Sequence, residues 1–171
     1  MSINRRSQRR GIRRLLPVLA IFIFFVGIYL FFLGPREHSG TVVAVQDGQT
    51  IEVATQDGNE VIRLAGLVAP LEAEAQSQQA HDYLQNLALN QEVTCRLEGD
   101  VTAEASLAIC IVNGGDLGEA LVLAGLARDC PAQSGGRYQA AEKQSRSQGS
   151  ELHLTFALPR HCEIKDEPRD K

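Results

Sequence analysis

The feature that most limits what this chain can fold into is the run from Leu15 to Leu33, LLPVLAIFIFFVGIYLFFL, 19 residues without a charge. As a helix rising 1.5 Å per residue it would span about 29 Å, close to the hydrocarbon thickness of a bilayer. Residues 1–14 hold six arginines (Arg5, Arg6, Arg9, Arg10, Arg13 and Arg14) and no acid, and Arg36 is the one cation just beyond the run. Arginines are retained on the cytoplasmic side. The expected plan is therefore a cytoplasmic Arg-rich segment over 1–14, a transmembrane signal-anchor over 15–34 that meets the lipid bilayer through residues 15–33, and export of everything after it. The membrane would be a bacterial-type inner membrane with a single crossing, and the exported part would sit in the periplasm or outside the cell. A cleaved leader is the competing reading. Its apolar core is normally about 7–15 residues and ends in a small-x-small site, which GPREHSG does not offer. Gly27 has no small residue four places away, so the span carries no helix-dimerisation motif.

The anchor also explains a misleading charge balance. The whole chain has a net charge of −4, but six of its 17 Lys and Arg precede residue 35. That leaves 11 against all 21 Asp and Glu, so the exported part carries −10. Sequence-independent binding to DNA or RNA depends on neutralising phosphates, and an acidic domain repels them. Composition thus argues against a nucleic-acid partner.

All four cysteines, Cys95, Cys110, Cys130 and Cys162, lie in the exported part. An even number in an oxidising compartment predicts disulfides, and three pairings are possible. No C-x-x-C spacing supports zinc, and Cys162 with His161 and His153 is the nearest approach to a ligand set. There is no G-x-S-x-G, H-E-x-x-H or Walker pattern, and Ser134 before Gly135-Gly136 reads as a loop and cap rather than a nucleophile.

Residues 35–39 read as a linker, and the pattern then changes. TVVAVQ (41–46), TIEVAT (50–55) and EVIRLAG (60–66) alternate apolar and polar residues and are separated by two D-G turn signals, Asp47-Gly48 and Asp57-Gly58. They predict a three-stranded antiparallel meander. After Pro70, residues 72–90 have helical composition, with Ala73, Ala80, Leu84 and Leu87 on one face. Two further strands, EVTCRL (92–97) and SLAICIV (106–112), are followed by the turn Asn113-Gly114-Gly115. A helix is expected over 116–125, N-capped by Asp116 and stopped at Gly125. A third helix is expected over about 135–148, and the tail from Pro159 is expected to be extended. Five short strands with a helix between the third and fourth predict an α+β domain built on a five-stranded barrel of the oligonucleotide-binding (OB-fold) type with three helices.

Four segments in order, GTVVAVQDGQTIEV, RLAGLVAP, DLGEALVLAGLA and SGGRYQAAEKQSR, resemble the staphylococcal-nuclease (thermonuclease) family from about Ser39 to Leu152. The resemblance implies a nuclease-type domain over 40–152 followed by a tail over 153–171. It also implies what is missing. Members that hydrolyse phosphodiesters use Ca2+, held partly by the third residue of DGDT; the segment here is DGQT, with Gln49. Their R-L-x-G-I-D-x-P-E supplies an arginine, a second calcium ligand and a general base. Arg63 stands at the first of these positions, but Val68 and Leu71 occupy the other two. Their second arginine aligns with Ala105. Of these five catalytic positions only Arg63 keeps the family residue; a strand arginine of this kind is otherwise expected in a salt bridge.

Calcium requires several anionic oxygens, and Gln49 with Val68 removes two. Asp47 is the one weak candidate ligand left, and an Asp before Gly is also an ordinary turn residue. Loss of a general base removes about 10² to 10⁴ in rate, and loss of an arginine removes transition-state stabilisation besides. Glu72, Asp100 and Glu104 lie near the altered positions, but a one-residue shift redirects a side chain, and Glu72 reads as a first-turn helix residue. The resemblance also implies the pairings Cys95–Cys110, across the last two strands, and Cys130–Cys162, which would pin the tail. The expected function is a catalytically inactive, tethered domain that binds a protein or envelope component and needs no cofactor. A calcium-dependent nuclease with a rearranged site and a purely structural envelope module are the alternatives.

Overall fold

A computed structural model describes residues 22, 24–26, 37–71, 75–98 and 105–164. The chain divides into two compact units, residues 1–35 and 36–171. In the first, Phe22 and Phe24–Val26 are helical and exposed. No helix among the described residues is long and apolar enough to cross a membrane, and most of the expected anchor over 15–34 lies outside them.

The second unit is α+β. Its five principal strands are β1 (Glu37–Val45), β2 (Thr50–Thr55), β3 (Gly58–Leu64), β5 (Glu92–Leu97) and β6 (Ser106–Val112), with short β4 (Leu67–Val68), β7 (Gly115–Asp116) and β8 (Arg128–Asp129) between or after them. The strands follow the order β3-β2-β1-β5-β6, and β3 pairs in parallel with β6, so the sheet closes into a five-stranded OB-fold-like barrel. Closure leaves few unpaired edges. A register shift between Val42 and Ala44 lets β1 bend enough to pair with both β2 and β5. Alternation places Val42, Ile51, Val53, Ile62 and Leu64 inside, each at most 2% exposed.

Helix α1 (Ala75–Ala88) buries Ala80, Leu84 and Ala88, the expected face shifted by little, and packs on β1. Residues 72–74, including Ala73 and Glu72, lie outside the described set. Between β6 and β7, Asn113 and Gly114 both have positive φ, at 51° and 81°, which suits the mirror-image turn of a tight hairpin. Helix α2 (Leu117–Leu123) starts where expected: the Asp116 carboxylate accepts the Gly118 and Glu119 N–H groups at 2.8 and 3.2 Å. It also accepts the buried Tyr138 hydroxyl at 3.2 Å. Burial first, and then the Asp116 charge, push the Tyr138 phenol well above its usual range, so it serves as a permanent donor. A side chain at Gly118 would meet Leu67 and the Tyr138 hydroxyl at 2.7 Å, which explains glycine inside this helix.

Several boundaries differ from expectation. Residues 37–39, assigned to a linker, begin β1, where Glu37 faces Arg96 and Ser39 faces Thr94. Their polar side chains hide a strand that main-chain pairing creates, reinforced by His38 Nδ1 against Glu60 at 2.6 Å. The third helix, expected over about 135–148, is α4 (Gln139–Ser147), and a short α3 (Pro131–Ser134) that was not expected precedes it, ended where Gly135 and Gly136 take positive φ. A single-turn α5 (Leu152–Thr155) crosses the boundary expected at 152/153, and in the tail from Pro159, expected to be extended, Arg160–Cys162 forms a 3₁₀ turn; residues 165–171 lie outside the described set.

Glu142 ties these late pieces together. Its carboxylate accepts Arg128 Nε at 3.1 Å and the Asp129 N–H at 3.2 Å, and pairs with Arg146. Arg128 in turn donates to the Phe156 carbonyl at 2.9 Å. Burial alone would raise the Glu142 pKa, but the hydrogen bonds from Arg146 and Arg128 outweigh it and hold the carboxyl below its ordinary 4.5. A depressed native pKa stabilises the fold above the unfolded value and loses that contribution as pH falls through the native one. Replacing Glu142 by Gln should therefore cost about 2 kcal/mol at pH 7, with the gap from the natural chain closing as pH falls below the ordinary carboxylate value; urea melts across that range measure it.

Candidate functional site

Barrel closure creates a cleft on the outside of the β3–β6 seam. On β3, Ile62 and Leu64 point inward, so Val61 and Arg63 point out. Arg63 sits between Thr50 on β2 and Leu107 on β6, its register partners on either side. One wall is the β1–β2 turn with Gln46, Asp47 and Gln49, and another is the segment from Leu67 through Leu71. Ala105 lies at the mouth of β6, while Gln133, Phe156, Pro159 and His161 complete the far side. The cleft holds about 720 Å³, within the usual range for small-ligand sites. Gln49, Arg63, Val68, Leu71 and Ala105 all line it, as does Asp47. Glu72, Asp100 and Glu104 lie outside the described residues.

The two positions expected to have lost calcium ligands have structural work instead. Gln49 is 3% exposed, and its side-chain carbonyl accepts the buried Ala69 N–H at 2.8 Å. Its own N–H donates to Asp47 Oδ1 at 2.8 Å, and its main-chain carbonyl accepts Leu64 N–H at 2.8 Å. Gln49 thus laces the β1–β2 turn to the strand beside it. Val68 is 8% exposed and packs with Cys130, Cys162, Phe156 and Leu158 in a small apolar cluster separate from the barrel core. Leu71, at the general-base position, is 50% exposed at the rim. Among the described residues, Asp47 supplies the only carboxylate of the cleft, too few anionic oxygens for a hard cation.

Arg63 was expected in a salt bridge. Among the described residues its guanidinium forms no ion pair and no side-chain hydrogen bond, although the residue is partly buried. Asp47, the acid sharing its cleft, is turned toward the Gln49 N–H. Among the described residues, the cleft therefore presents Arg63 as a cation without a side-chain partner.

The far wall was the part sequence reasoning missed. Both disulfides form, Cys95–Cys110 between directly opposed residues of β5 and β6 and Cys130–Cys162 over a separation of 32 residues. The second bridge holds Phe156, Pro159 and His161 against the cleft, and closing a loop of that length stabilises by about 3 to 4 kcal/mol in a chain-entropy treatment. His161 lies with Cys130 and Cys162 in a group whose potential ligand atoms fall within 4.8 Å. The two sulfurs are bonded to each other and offer no thiolate; His153 is not in the group. The signal for this wall was Cys162 itself, which required something near Cys130 but did not say what the intervening residues would cover.

No protein-family model and no curated protein matches the sequence.

Val68→Asp is expected to destabilise the oxidised domain by about 3 kcal/mol, because the new carboxylate would be buried among apolar groups without a partner. The midpoint of urea unfolding measures it. A midpoint equal to that of the natural domain would mean the position is open to water, and the apolar cluster would not be the reason a carboxylate is missing.

Proposed function

We propose that residues 36–171 form an exported domain of staphylococcal-nuclease type that has lost hydrolysis and works by binding a protein or envelope component, tethered to a bacterial-type inner membrane by residues 15–33. The observation that carries this reading is the fate of the cleft. The five positions that the resemblance marks as catalytic converge on one concave surface, yet the carbonyl at Gln49 is committed to Ala69 N–H and Val68 is packed beside a disulfide. A carboxylate there would have to displace established packing, so the change is integrated into the fold and not a bare deletion. The concave shape and the unpartnered Arg63 remain suited to holding a ligand. Phe22 and Phe24–Val26, helical and exposed, are consistent with an apolar anchor helix, and two disulfides suit a compartment beyond the cytoplasm.

The test uses the oxidised 36–171 unit, which contains every sheet pairing, both disulfides and the whole core. It is incubated with single-stranded DNA, duplex DNA and RNA, with calcium or with a chelator, beside the triple variant Gln49→Asp, Val68→Asp, Leu71→Glu. The expected result is no cleavage by the natural domain under any condition. Calcium-dependent cleavage by it would overturn the binding reading and return the protein to the nucleases. Cleavage by a folded triple variant alone would support the ancestry.

A further inference from the structure

We infer that the cleft at the β3–β6 seam takes an amphipathic monocarboxylate, a ligand with one carboxylate for Arg63 and an apolar body for the rim. The inference rests on the binding reading above and narrows it to a ligand class. Three observations carry it.

The first is the state of Arg63. Arg63 is a partly buried residue whose guanidinium offers five donors to whatever enters the cleft. Among the described residues no side chain supplies an acceptor. Arg96, Arg128, Arg137 and Arg146 each pair with a glutamate, and Arg160, which has no ion pair among the described residues, is exposed. Arg63 lines the cavity from its strand, where a ligand can supply the acceptor that no described side chain supplies. A planar carboxylate matches its donor fork bidentately.

The second is charge. Arg63 shares the cleft with the Asp47 carboxylate and belongs to a part of the chain with a net charge of −10. One cation can neutralise one negative charge. A phosphate monoester or a run of phosphodiesters would bring surplus charge into an acidic surrounding, with no second arginine because Ala105 stands across the cleft. With Asp47 already balancing Arg63, a single carboxylate brings one surplus negative charge, fewer than a phosphate monoester or a run of phosphodiesters.

The third is the wall opposite the charge. Leu71 is exposed at the rim, and Phe156 and Pro159 lie on the far side, held there by the Cys130–Cys162 bridge and by the Arg128 bond to the Phe156 carbonyl. Apolar surface that is fixed in place and open to water gains from covering. A chain or ring attached to the carboxylate would cover it.

The experiment titrates octanoate into the isotope-labelled, oxidised 36–171 unit and follows amide and arginine side-chain resonances. Acetate, octanol and octyl phosphate are titrated in parallel. Octanoate is expected to saturate shifts at Arg63, Leu71 and Phe156, while acetate and octanol bind at least about tenfold more weakly, as loss of a charge-assisted hydrogen bond or of the apolar contact requires. Arg63→Gln is expected to weaken octanoate about tenfold or more. Should that variant not fold, Leu71→Ser, at an exposed position, is expected to weaken octanoate severalfold without changing the fold. Octyl phosphate binding more tightly than octanoate, octanol binding as well as octanoate, or octanoate shifts that ignore both substitutions would each overturn the assignment. Failure here with no cleavage in the nuclease assay removes the ligand class alone; calcium-dependent cleavage removes the binding reading beneath it.

Discussion

The parallel pairing of β3 with β6, from Ile62 opposite Ser106 to Leu64 opposite Ala108, closes the sheet on itself, and the geometry of everything else follows from that seam. Closure turns Ile62 and Leu64 into the barrel and forces Arg63 outward. It also fixes Leu107 and Ala105 beside the β1–β2 turn, which a flat sheet would hold far apart. The cleft is therefore a property of the closed barrel, and its residues come from segments distant in sequence. Covalent and ionic ties complete it. Cys130–Cys162 and the Arg128–Glu142 pair act on the same tail, one through the chain and the other through the Phe156 carbonyl.

A wall held in this way differs from a loop that closes on its ligand. Because Phe156 and Pro159 are positioned in the free protein, a ligand meets apolar surface already ordered, and less of the interaction energy is lost to ordering side chains. The same rigidity counts against placing acids at these positions. Gln49 is one of the ties that hold the β1–β2 turn, through Ala69 and Asp47, and Val68 belongs to the cluster under the second disulfide. Replacing either by an acid would unsettle the support of the cleft along with its chemistry.

Much of the barrel was legible because its strands obey the simplest rule in a sequence, alternation between turn signals. TIEVAT and SLAICIV occupy β2 and β6 as expected, and the Asp116 cap fixes the start of α2. The start of β1 was not legible, since Glu37, His38 and Ser39 carry no apolar alternation and are held by partners about twenty to sixty positions away, Glu60 and Thr94 among them. The β4–β8 pair is two residues long on each side, too short for any pattern. At the site, residue types revealed which oxygens had gone, but not what Gln49 and Val68 do instead, because both answers depend on tertiary contacts. Arg63 shows the limit most plainly. The usual fate of a strand arginine is an ion pair, and only the tertiary structure shows that this one has none among the described residues.

With Gln49 bonded to Ala69 and Val68 packed beside the second disulfide, Asp47 is the one carboxylate among the described residues of the cleft, and the proposal that calcium finds no site there can be tested directly. The most direct measurement is a calcium titration of the oxidised, labelled 36–171 unit, following the amide resonances of Gln49, Val68 and Ala69. The account predicts no saturable shift at millimolar calcium, with the Ala69 amide remaining in its bond to Gln49. Saturable shifts confined to those residues and Asp47 would contradict it, showing that the cleft still gathers a hard cation and that its chemistry is closer to hydrolysis than its residues imply.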